Sequence, residues 1–232
     1  MKPFLLKIIF PCLFASLCYA FTERPSLFVI GDSISIFYGP QLKKELAPFF
    51  HYDRKRDQGE AIQNLDTPVG ANGGDSRMVI EYLNTLKNNP DFKADILLLN
   101  CGLHDIKRNV RTGEIAVPLN EYKANLEKIY HLAQSLNLQL IWVSSTPVDE
   151  KIHNTKSLPF NRYNKDVLAY NKTATRFFSK KNIPIIDLYE FSAKFGTEGY
   201  MDHVHYKPEY AARQARFIAD YIKHNFKLIK NN

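Results

Sequence analysis

Cysteine is scarce in these 232 residues: three in all, and two of them, Cys12 and Cys18, fall within the first 20. Without that leader Cys101 stands alone, so no disulfide can form within the chain even in an oxidising compartment. Cys101 follows the apolar run Leu97-Leu98-Leu99-Asn100, a setting for a small buried residue rather than a reactive thiol. Charge of one sign is not concentrated either. The formal net charge is +7, yet Lys43-Lys44, Arg54-Lys55-Arg56 and Lys180-Lys181 are short and scattered, and no basic stripe with interleaved aromatics marks a nucleic-acid surface. Internal repeats and linkers are missing too. With hydrophobic residues at 45% and charged residues at 24%, the chain is of ordinary globular composition. Its length suits one domain that needs neither disulfides nor a structural metal to bury a core.

Long apolar runs are absent beyond the N-terminus. There Lys2 and Lys7 flank the start of an apolar stretch from Phe4 to Ala20, which ends Cys18-Tyr19-Ala20 before Phe21. A basic start, a short apolar core and a small residue at the cut predict a secretory signal peptide over residues 1–20 and a mature domain over 21–232. The protein is then secreted or periplasmic, with no stable membrane insertion after cleavage. Pro11 and the shortness of the run argue against a retained span, and Leu17 before Cys18 does not suit a lipoprotein signal. Cleavage removes Lys2 and Lys7 and lowers the net charge by two.

What the chain does have is alternation. Leu27–Ile30 predicts a buried strand that stops at Gly31-Asp32-Ser33-Ile34-Ser35, where the glycine is expected to supply an unusual backbone angle. A loop then passes into an amphipathic helix reaching Leu46, so Ser33 lies near helix-start amides. Residues 51–66 are polar, with at most a short edge strand, and 67–76 form a turn-rich loop. A helix through Met78, Val79, Tyr82, Leu83 and Leu86 follows, capped by Asp75 or Ser76. Further strands are expected at 95–100, 138–143 and 183–188, helices at 120–136, 162–181 and 207–226, and a surface loop at 148–159. This order predicts a single-domain α/β protein, a three-layer α/β/α sandwich around a mostly parallel, flavodoxin-like sheet. Ligands of such sheets bind beyond the carboxyl ends of the strands, where the loops at Ser33, Gly74, Gly102 and Thr146 and the segment with His205 would gather.

Those loops hold the parts of a serine hydrolase: a nucleophile, a base, an acid to orient the base, and donors for an oxyanion. Ser33 is the candidate nucleophile. Asp202 and His205 are three apart, so one turn can bond the carboxylate to one imidazole nitrogen while the other faces the serine. Backbone amides of Ser33 and Gly74 are candidate oxyanion donors. The pattern is not the Gly-x-Ser-x-Gly elbow, because Ser35 occupies the fifth position.

Four segments, in order, resemble the blocks of the SGNH, or GDSL, hydrolase family: Gly31-Asp32-Ser33-Ile34-Ser35, the glycine of Gly73-Gly74-Asp75-Ser76, Gly102-Leu103-His104-Asp105, and Asp202-His203-Val204-His205. The resemblance runs from about Leu27 to Tyr210. It implies an esterase that needs no cofactor, with Ser33 as nucleophile, His205 as base, Asp202 as orienting acid, and Gly74 with the Ser33 amide in the oxyanion hole. The family's third block usually reads Gly-x-Asn-Asp, its asparagine giving the third oxyanion donor. Here His104 stands in that place and can donate a ring N–H instead.

The implied substrate is a small-molecule or glycan ester, first an O-acetyl carbohydrate, with a lipid ester, a thioester or acyl transfer as alternatives. Two other readings compete. His104-Asp105 with Asp202-His203-His205 could ligate a metal, but this leaves Ser33 idle, and His203 is expected to line a wall. A glycan-binding protein with a degenerate site would use Phe37, Tyr38, Tyr163, Tyr200 and Tyr206 as stacking surfaces. Core packing is the commoner fate of such aromatics.

Overall fold

The structure, a computed structural model, describes residues 24–156 and 158–229. The predicted signal peptide lies outside the described residues. Strand β1, Ser26–Ile30, runs into helix α1, Ser33–Leu46. The switch is made by Asp32, which caps the helix by accepting the Ile34 N–H on Oδ1 at 3.0 Å. Ser33 therefore occupies the first helical position rather than a preceding loop. Gly31 also differs from expectation, since its φ is not positive. Space is what it supplies: a Cβ there would lie 2.8 Å from Ser35 Cβ.

Strand β2, His51–Arg54, is an edge strand and pairs parallel with β1. Helix α2, Ser76–Lys87, is capped by Asp75. It leads to β3, Ile96–Leu99, every residue of which is buried. Next come the two-residue β4, Arg108–Asn109, helix α3, Leu119–Ser135, and β5, Gln139–Val143. The segment expected as loop contains a one-turn helix α4, Glu150–His153, capped by the Asp149 carboxylate on the Ile152 N–H at 3.1 Å, and β6, Phe160–Asn161. Helix α5, Asn164–Ser179, starts two residues later than predicted. Strand β7 is only Ile185–Ile186, because Asp187 caps a further helix, α6, Leu188–Ala193, and stops the strand. Helix α7, Pro208–Ile229, closes the fold.

The main sheet is parallel with order β2-β1-β3-β5-β7, which is the flavodoxin-like order when only these five strands are numbered along the chain. Helices α1 and α7 pack together, as do α2 with α3 and α3 with α5, so helices cover both faces and the central strands β1, β3 and β5 can be continuous apolar runs. Trp142 on β5 is fully buried, with its ring 4.9 Å from that of Phe178 on α5. Strands β4 and β6 pair as a small antiparallel ribbon off the main sheet. Among the described residues no helix is long and apolar enough to cross a membrane.

Candidate active site

The carboxyl ends of β1, β3 and β5 set the site. Gly73 N–H donates to Gly31 O at 2.8 Å, and Gly31 and Asn72 form an isolated parallel bridge, which lays the glycine loop beside Ser33. The Asp105 carboxylate accepts the Ser76 N–H on both oxygens, at 3.0 and 3.1 Å, tying the loop after β3 to the start of α2. Hydrogen bonds from backbone N–H groups thus bring together segments that the sequence leaves tens of residues apart.

The structure brings Ser33, His205 and Asp202 into one hydrogen-bonded chain. His205 Nε2 lies 2.8 Å from Ser33 Oγ, and His205 Nδ1 lies 2.7 Å from Asp202 Oδ2. The other Asp202 oxygen accepts the backbone N–H groups of Val204 at 2.8 Å and of His205 at 2.9 Å. The three-residue spacing thus lets one carboxylate shape the turn and orient the ring. Burial alone would raise the Asp202 carboxyl, but the hydrogen bond and charge of His205, with the two backbone amides, outweigh it and hold the group well below the usual carboxylate range. A carboxylate that stays ionised fixes the tautomer with Nδ1–H and leaves Nε2 to accept from Ser33. Phe37 flanks the arrangement, its ring centroid 5.3 Å from that of His205.

The three expected oxyanion donors fare differently. Asp32 takes the Ile34 N–H with its side chain and the Ser35 N–H with its carbonyl. The Ser33 N–H, at the first helical position, has no intrahelical acceptor and can turn to a ligand. The Gly74 N–H already donates to Asn72 Oδ1 at 3.0 Å, so it must share or release that bond to serve an oxyanion. Its φ of +71°, in the left-handed region, explains the glycine. His104 is 3% exposed with Nδ1 unpartnered. Burial first, then the charges of Lys107, Arg162 and His205, push its pKa well below the ordinary histidine value, so it is a neutral ring with one N–H to give.

His203 sits where a wall residue was expected, its ring 4.4 Å from that of His153 and its Nδ1 3.7 Å from Asp202 Oδ1. Among the described residues no group of three or more His, Cys, Asp or Glu side chains is placed to hold a metal ion. Of the candidate stacking rings, Tyr38 and Tyr206 belong to the core, at 2% and 1% exposure. Tyr200 stacks on Tyr206 and donates its hydroxyl to Pro147 O. Phe37 is the one of the five placed against the His205 ring. Sequence reasoning missed Arg162, a buried guanidinium whose Nε donates to Leu103 O at 2.8 Å. The sequence places it at the start of the helix expected over 162–181, and no local pattern marks a buried cation.

A parallel α/β domain with a serine, a histidine and an aspartate linked at the carboxyl edge of its sheet has the layout of an acyl hydrolase with a nucleophilic serine. A family model described as GDSL-like lipase/acylhydrolase matches residues 27–218, and the chain belongs to that family. With the family comes its class of chemistry, hydrolysis of carboxylic esters. No curated protein matches by sequence. Similar solved structures include an acetyl xylan esterase at 14% identity, with a TM-score of 0.63, covering 85% of this chain and 99% of that one. A psychrotrophic esterase from a Pseudoalteromonas species has 13% identity and a TM-score of 0.59, covering 88% of this chain and 100% of its own. A GDSL-like lipase from Bacteroides thetaiotaomicron has 14% identity and a TM-score of 0.58, covering 86% and 88% respectively. At such identities the likeness is one of fold.

Proposed function

We propose that the protein is a secreted serine esterase that removes short acyl groups, O-acetyl first among them, from carbohydrate. The observation that carries the reading is the continuous chain from Ser33 Oγ through His205 to Asp202. In this mechanism Nε2 of His205 takes the proton as Ser33 Oγ attacks the ester carbonyl, and the carbonyl oxygen becomes an oxyanion facing the Ser33 and Gly74 amides and the His104 ring. Collapse of the intermediate expels the alkoxide, which receives the proton from His205, and leaves Ser33 acylated. Water then attacks the acyl-enzyme with His205 again as base, releasing the acid and restoring Ser33. Asp202 keeps its charge throughout and steadies the imidazolium.

The carbohydrate preference is supported by the half-buried Phe37 ring beside His205, a surface for a sugar face, and by the fold shared with an acetyl xylan esterase. Secretion rests on the leader over residues 1–20. A serine-directed organophosphonate should form one adduct, on Ser33, and acetate should be released from acetylated polysaccharide faster than fatty acid from a lysophospholipid. Absence of the adduct would sink the esterase mechanism, and faster fatty acid release would replace the carbohydrate with a lipid.

A further inference from the structure

Arg162 is a charge that the acyl-enzyme mechanism leaves without a task. It follows β6, and its side chain is 3% exposed. Its backbone is held on both sides by Asn154: Arg162 N–H donates to Asn154 Oδ1 at 3.1 Å, and Asn154 Nδ2 donates to Arg162 O at 3.2 Å. The guanidinium lies 4.8 Å from the centre of the Phe160 ring. Nε donates to Leu103 O, next to His104, while Nη1 reaches Asp66 Oδ1 only at 3.4 Å. Nη2 has no hydrogen-bond acceptor among the described residues. A second cation is close by, since Lys107 Nζ donates to the backbone oxygen of Asp66 at 2.6 Å and sits 4.3 Å over the same Phe160 ring.

A guanidinium taken out of water costs several kcal/mol unless charge and hydrogen bonds are returned to it. Here the return is small: Nε has the Leu103 carbonyl, and the carboxylate of Asp66 is met by Nη1 only at 3.4 Å. The polar groups around it have bonding capacity to spare as well, because Nδ1 of His104 and both ring nitrogens of His203 are buried without partners. The Nε hydrogen bond to Leu103 O sets the guanidinium against the loop that carries His104, and its charge bears on His104, His203 and Asp32. A planar fork with an open nitrogen suits a carboxylate better than any neutral sugar hydroxyl.

We propose that Arg162, assisted by Lys107, forms an anion subsite beside Ser33 that binds a carboxylate of the substrate, so that the ester attacked is carried by an acidic sugar. This rests on the esterase reading and narrows its substrate class. A purely structural role, holding Leu103 O and with it His104, is the competing account. A carboxylate on the acyl group instead of on the sugar would satisfy the same chemistry.

The test compares O-acetylated methyl galacturonide with its neutral methyl ester, and an aryl hemisuccinate with the aryl butyrate. The wild-type kcat/KM should favour the acidic sugar over its methyl ester by about tenfold or more, and Arg162→Gln should bring that ratio close to one. Equal losses on both sugars would make Arg162 a positioning residue for the Leu103–His104 loop and overturn the subsite. Preference confined to the hemisuccinate would move the carboxylate to the acyl side and overturn the acidic sugar. Free galacturonate should also inhibit aryl acetate hydrolysis by the wild-type enzyme about tenfold more strongly than galactose does, a readout that survives if the variant does not fold. Equal inhibition by the two sugars overturns the inference while leaving the esterase intact. Failure to hydrolyse aryl acetate at all, with no Ser33 adduct, removes the esterase reading itself.

Discussion

Two sets of polar groups at the site are built on opposite terms. In the relay, both nitrogens of His205 and both oxygens of Asp202 are engaged in hydrogen bonds. Around it, His104 Nδ1 and both nitrogens of His203 are buried without hydrogen-bond partners, although His203 Nδ1 lies 3.7 Å from Asp202 Oδ1, and Arg162 reaches a carboxylate only at 3.4 Å. Orphaned polar atoms are expensive in a protein interior. A fully satisfied network is rigid and ready before substrate arrives; an unsatisfied one gains its bonds only when something binds. In the esterase proposed above, the proton path is thus preorganised, and recognition and charge stabilisation fall to the groups that a substrate would engage.

The sharpest way to break the comparison is to remove the relay. Ser33→Ala and His205→Ala should each lower kcat on an aryl acetate by about 10⁴-fold or more, since members of such a unit fail together. His203→Ala, one residue from Asp202 but outside the hydrogen-bonded chain, should cost less than about tenfold. Kinetics on the three variants check this. Were His203 the essential histidine, the relay would have been assigned to the wrong ring.

A smaller effect is expected at His104. If the neutral His104 ring donates to the oxyanion, His104→Ala should lower kcat by about 10²–10³-fold, with organophosphonate labelling of Ser33 slowed in parallel. His104→Asn should recover most of the loss, because the carboxamide offers an N–H from a shorter side chain. A kcat for His104→Ala within about twofold of the wild type would show that the ring supplies no donor.

Much of this arrangement was legible because it is written in local chemistry. Apolar runs at 27–30, 96–99 and 140–143 announce strands buried on both faces, and Asp202 with His205 at a three-residue spacing announces a turn. Elements too short to show a period were not legible. Helices α4 and α6 exist because Asp149 and Asp187 cap them, and a lone aspartate in sequence reads equally as a turn. Arg162 was hidden for a different reason. Its burial depends on β4 pairing with β6 and on Asn154 gripping its backbone, and these are long-range facts with no period, motif or charge run to signal them. The Gly74 amide is similar, because its bond to Asn72 Oδ1 is visible only once the loop is folded.

The smallest effect is expected at Gly31, where the sequence suggests a backbone angle as the reason for glycine and the structure shows space instead. A Cβ at position 31 would lie 2.8 Å from Ser35 Cβ and 2.9 Å from Ser35 Oγ, closer than real contacts allow. Ser35 cannot easily yield, since its hydroxyl donates to Asp32 O at 2.7 Å and accepts from Arg54 Nη2 at 3.1 Å. Gly31→Ala should therefore destabilise the protein by about 1–3 kcal/mol through overpacking, a fall of about 2–12 °C in Tm for a domain of this size. Adding Ser35→Gly discriminates the causes. It removes the obstructing Cβ, so the cost of Gly31→Ala measured in the Ser35→Gly background should shrink to a fraction of its value in the wild type, giving a coupling of about 0.5–3 kcal/mol between the two positions. A backbone-angle requirement would leave that cost unchanged in either background, because no side chain at position 35 alters the φ that residue 31 must adopt.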